Sequence, residues 1–126
     1  MQQIAMLVFE EKVRLDSDRL AELYAQLGET GAQDVVCRAM EELAVRLARL
    51  DEAYRAYRLA ALRKGAKSLV GIAEQVGMQR LADVARDVCH CADEMDPVAL
   101  GATMARLMRI GDRSLTAVWD LQDLSV

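Results

Sequence analysis

The chain has 126 residues, enough for one packed domain, and its composition is that of a helical protein: 53% hydrophobic but only 4% aromatic, with a single proline, Pro97. A formal net charge of −4 gives no general ground for nucleic acid or an anionic membrane surface as partner. Three cysteines, Cys37, Cys89 and Cys91, are an odd number at irregular spacing, which argues against a disulfide framework and suits a reducing, cytoplasmic setting.

Residues 1–15 are expected to form an N-terminal arm, either a short helix or an extended segment, with Ile4, Leu7 and Phe9 covering the rest. The apolar run Ile4 to Phe9 is too short for a signal-peptide core or a membrane span. Asp16, Ser17 and Asp18 then offer helix N-caps. Leu20, Leu23, Tyr24 and Leu27 repeat at helical spacing until Gly28 stops the run. A second stretch places Val36, Met40, Leu43, Leu47 and Leu50 at alternating steps of four and three, an a/d seam.

The third stretch is predicted from about Glu52 to Val76. It carries Leu59, Leu62, Ala66, Leu69, Ala73 and Val76 on one stripe, and Gly77 ends it. A fourth holds Leu81, Val84, Ala85, Val88 and Ala92. The last starts with Asp96 as N-cap and Pro97 at the first helical position, where a missing N–H costs nothing. It continues through Leu100, Met104, Leu107, Leu115 and Val118.

Long amphipathic helices with short connections favour antiparallel neighbours. The expected fold is therefore all-α: an up-and-down antiparallel four-helix bundle over about residues 16–122, with the short N-terminal helix or arm before it. No internal repeat or linker divides the chain, so residues 1–126 are read as a single domain.

Within the third stretch, Ala66, Leu69, Gly71 and Gly77 are set in the run Ala-Lys-Ser-Leu-Val-Gly, followed by five residues and a second glycine. This resembles the signature of histidine-containing phosphotransfer domains, Ala-His-x-Leu-Lys-Gly with a second glycine after five residues. Lys67 stands in the histidine slot and Val70 in the usual lysine slot. The resemblance covers the element order from about Asp16 to Trp119, although only residues 66–78 match at motif level. It implies a degenerate phosphorelay module that binds a response-regulator receiver domain or a histidine kinase without carrying a phosphoryl group.

The residues support distinct roles. Ala66 and Leu69 belong to the buried stripe, and Lys67 is expected to project from it. Gly71 inside a helix costs about 1 kcal/mol relative to alanine. In the resembled family the missing side chain lets the partner approach. Gly77 reads as a helix stop and a close helix contact. A phosphoryl acceptor must offer a nitrogen lone pair near neutral pH, which an exposed ammonium does not. The only histidine, His90, lies in a different stretch and reads as a surface residue with carboxylate neighbours.

No Ser-His-Asp arrangement, nucleotide-binding glycine loop or paired carboxylates stand out, so no enzymatic activity and no cofactor are expected. Cys89-His90-Cys91 are neighbours on a helix and cannot close around one ion, so no metal site is expected. From Arg55 to Lys67 the chain carries Arg55, Arg58, Arg63, Lys64 and Lys67 without an acidic residue. The expected partner-binding face comprises Arg63, Lys64, Lys67, Val70, Gly71 and Glu74, complementary to an acidic receiver pocket. The alternative is a helical interaction or oligomerisation protein unrelated to phosphorelay. The sequence leaves the oligomeric state open.

Overall fold

The computed structural model describes residues 17–124; the predicted arm, with Ile4, Leu7 and Phe9, and the Asp16 cap lie outside them. Four helices follow one another: α1 (Ser17–Arg55), α2 (Leu59–Gln75), α3 (Gln79–Glu94) and α4 (Pro97–Leu124), with no strand among the described residues. Each helix touches its sequence neighbours, and α1 closes the ring on α4. The all-α four-helix bundle expected from the periodicity is the observed fold.

The first two predicted stretches are halves of one 39-residue helix, interrupted at Gly28. There φ is 74° and ψ 174°, a conformation that belongs to glycine. The chain bends and resumes its helix at once. Before the bend only Leu23 is fully buried, while Tyr24 and Leu27 are exposed. Arg19 ties this segment down by donating its Nε–H to the Gln75 carbonyl at the end of α2 (3.0 Å).

The boundary predicted near Glu52 is displaced. Glu52 to Arg55 complete α1, and the break falls at 56–58. Tyr57 takes a left-handed φ of 54°. Its N–H donates to Tyr54 O (3.0 Å), and that of Arg58 to Ala53 O (2.8 Å). These two bonds form a Schellman closure, which satisfies carbonyls the helix end would leave bare. The same pair of bonds closes α2 around Gly77 and α3 around Met95. Only one of the three uses glycine. At the start of α4, Asp96 accepts from the Ala99 N–H (3.1 Å), a cap that stabilises by about 1 kcal/mol.

The core collects Val36, Met40, Leu43, Leu47 and Leu50 of α1 with the predicted stripes of α2 and α3, and with Leu100, Met104, Leu107, Ile110 and Val118 of α4. Each large aliphatic chain buried here contributes about 1.5–3 kcal/mol of transfer free energy. Two glycines allow close approach to α1. A side-chain carbon at Gly65 would lie 2.7 Å from Leu50 Cδ2, and one at Gly111 2.6 Å from Leu47 Cδ1. No helix among the described residues is long and apolar enough to cross a membrane.

Candidate docking surface

Helix α2 meets its neighbours along both flanks of the buried stripe Leu62, Ala66, Leu69 and Ala73. Because successive residues turn by about 100°, positions 63, 67, 70 and 71 lie towards α3, whereas 61, 65 and 68 lie towards α1. The flank towards α3 is an open groove of about 590 Å³, lined by Arg63, Lys67, Val70 and Gly71 of α2 and by Arg86, Cys89, His90 and Asp93 of α3.

Lys67 is exposed in the middle of α2 and makes no hydrogen bond or ion pair with another described residue. Gly71, one turn on, is exposed as well, and a carbon added there would meet nothing within 4 Å. Val70 between them is half-buried and gives the groove an apolar floor. The other cations are partly neutralised. Arg63 pairs with Asp93 across the groove. Arg86 pairs with Glu74 and also with Asp83 (3.1 Å). Glu74 thus holds Arg86 from outside the groove lining.

The predicted basic face is divided between two sides. Lys64 lines the opposite groove, between α1 and α2, together with Arg46, Arg49 and Ser68. Arg55 stands on α1, paired with Asp51 (3.1 Å), and Arg58 sits in the connection. The run of cations from Arg55 to Lys67 is therefore spread over two helices and their turn.

Sequence reasoning missed the α3 wall. His90 is 72% exposed, with Nε2 3.1 Å from Glu94 Oε1, which matches the expected surface residue with a carboxylate neighbour. Its place opposite α2 in the Lys67 groove was not expected. The signal was available in the hairpin at Gly77: antiparallel helices bring together residues roughly equidistant from the turn, as Arg63 meets Asp93.

All three cysteines are free and half-buried rather than fully enclosed. Cys89 Sγ donates to the Arg63 carbonyl oxygen at 3.5 Å. Burial pushes its thiol pKa up, the Asp93 carboxylate adds to this, and the nearby Arg63 and Lys67 charges oppose it without reversing it. No protein-family model, curated protein or solved structure matches this chain.

Proposed function

We propose that the protein is a non-phosphorylatable, non-enzymatic relative of histidine-containing phosphotransfer domains, which docks through the α2–α3 groove on a response-regulator receiver domain or a histidine kinase, as a regulator or scaffold. The observation that carries this reading is the pairing of an exposed Lys67, bound to no other described residue, with an exposed Gly71 one turn away. In the resembled motif these are the acceptor position and the position that clears the approach to it.

The chemistry follows from the side chain. An ammonium has no lone pair for phosphorus, so Lys67 supplies charge where a histidine would supply a nucleophile. That charge faces a partner's acidic pocket, and the Val70–Gly71 step gives the partner's apolar rim a flat contact. Complementarity of this kind raises association rates and selects partners more than it raises affinity. Titration of the protein with receiver domains and kinase domains by calorimetry tests the reading. Binding that is lost on Lys67→Glu is expected; no binding by any of them ends the proposal.

The self-association alternative draws on a different feature. Tyr57, Met95 and Val98 are 58%, 74% and 84% exposed, and the topology puts all three at the end of the bundle where α1 and α3 stop and α2 and α4 begin. Large apolar side chains gathered at one end favour an apolar contact. Sedimentation equilibrium of the protein and of Met95→Ser/Val98→Ser separates the two readings, because only self-association through this end responds to those substitutions.

A further inference from the structure

The second groove, between α1 and α2, has features that the α2–α3 surface does not use. It encloses about 370 Å³, with Leu50 and Gly65 at its base and Arg46, Arg49, Lys64 and Ser68 around it. Arg46 is fixed across the groove, donating to Ser68 Oγ (2.8 Å) and to Glu42 (2.8 Å). Arg49 on the α1 rim and Lys64 on the α2 rim are exposed, and neither forms a hydrogen bond or ion pair with another described residue. The chain has 20 acidic side chains against 16 basic ones, so two cations that no other described residue neutralises, facing one apolar trough, stand out against the background charge.

We infer that this groove is a second docking site, and that its occupant is an amphipathic helix of a partner protein with acidic residues flanking its apolar stripe. The apolar base accepts the stripe, and cations on both rims accept a carboxylate row on each side. A helix fits because the trough lies between two packed helices, where a third seats by ridges and grooves. The described residues offer no strand edge for an extended peptide. An acidic chain with no aromatic side chain in this groove lacks the stacking platform a single-stranded nucleic acid requires.

The site does not depend on the α2–α3 reading, but the two share a wall. Lys67 and Gly71 open to one side of α2, and Lys64 and Gly65 to the other. The two grooves share no lining residue, so occupation of one leaves the other open.

Three synthetic peptides of about 18 residues, some five helical turns, test the inference on the full chain. One has a leucine stripe flanked by glutamates, the second has lysines in place of the glutamates, and the third has serines in place of the leucines. Only the first is expected to bind by calorimetry, with amide shifts centred on Leu50, Ala53, Ala61 and Gly65. Arg49→Glu/Lys64→Glu is expected to weaken it at least about tenfold, since reversal turns two attractions into repulsions, while circular dichroism stays unchanged. Equal binding of the lysine peptide overturns the inference, as do shifts that map to the α2–α3 groove or indifference to the double reversal. Self-association abolished by the same reversal overturns it too, in favour of a second copy of the chain as occupant. Absence of receiver binding, which ends the α2–α3 reading, leaves the peptide result untouched, so the two sites fail separately.

Discussion

Lys67 of α2, which pairs with no other described residue, and His90 of α3, the chain's single imidazole, line the same groove from opposite walls. The imidazole is held at Glu94, a turn along its own helix. The position that would hold a histidine in the resembled phosphotransfer motif thus carries an ammonium, and the chain's imidazole stands on the facing wall.

The first prediction is that this proximity does not restore transfer. Incubation with a phosphorylated receiver domain, or with acetyl phosphate, should leave the intact mass unchanged. Acid-labile phosphate mapped to His90 would overturn the non-phosphorylatable reading.

Lys67→His tests whether the slot is silent only for want of a nucleophile. The substituted protein should gain slow, acid-labile phosphorylation from a receiver that binds it, with Val70 in place of the usual lysine limiting the rate. A receiver that still binds the variant with wild-type affinity, yet never labels it, would show that the groove does not present the slot to the partner's phosphoryl group.

The glycines separate docking from folding. Gly71→Ala should stabilise by about 0.5–1 kcal/mol, because the site is open and alanine is the better helix former. Gly71→Trp should fold normally and abolish receiver binding by blocking the approach. Gly111→Ala should instead destabilise by about 1–3 kcal/mol, since the added methyl meets Leu47 inside the core. Thermal denaturation and calorimetry on the three variants check the set, and wild-type binding by Gly71→Trp would remove this face from consideration.

The helices were legible because their apolar stripes have a period of 3.6, and because Gly77 and the Asp96–Pro97 pair mark ends by residue type. The end of α1 was not. Its closure is as regular as that at Gly77, but Tyr57 takes the left-handed position that glycine usually fills, and nothing in Tyr-Arg-Ala-Tyr-Arg signals it. On the candidate surface, spacing within one helix made only the exposure of Lys67 legible, and its pairing with Gly71 was singled out by the resemblance to the phosphotransfer motif. Arg86, Cys89, His90 and Asp93 depend on the packing of α3 against α2, which a one-dimensional period does not contain. Lys64 was assigned to the same face by spacing alone, whereas the groove it lines is decided by where α1 lies.

Asp93 should act as a brake on docking. Its carboxylate occupies the Arg63 guanidinium, so Asp93→Asn should free that charge and tighten receiver binding several-fold, with a steeper loss as salt rises towards 0.5 M, where screening lengths shrink to about 4 Å. Both side chains are about half exposed, so the stability change should stay within about 1 kcal/mol. Unchanged affinity and salt dependence would place Arg63 outside the interface.

The Cys89 thiol gives a pH test of the packed groove. Its pKa is raised in the folded protein, chiefly by burial, with Asp93 adding and Arg63 and Lys67 opposing. The folded state then holds the proton more tightly than the unfolded state does. The linked stability is fully present below the ordinary thiol pKa and is lost as pH rises through the folded value. Unfolding midpoints in urea should fall on the alkaline side, and Cys89→Ser should remove that part of the fall. The same shift means that at neutral pH Cys89 should react with iodoacetamide more slowly than a thiol in an unstructured peptide, because the thiolate is the nucleophile. Arg63→Gln and Lys67→Gln should slow it further, each removing a charge that favours the thiolate. Alkylation at the peptide rate, unaffected by either substitution, would mean that Cys89 does not feel the charges of the groove it lines.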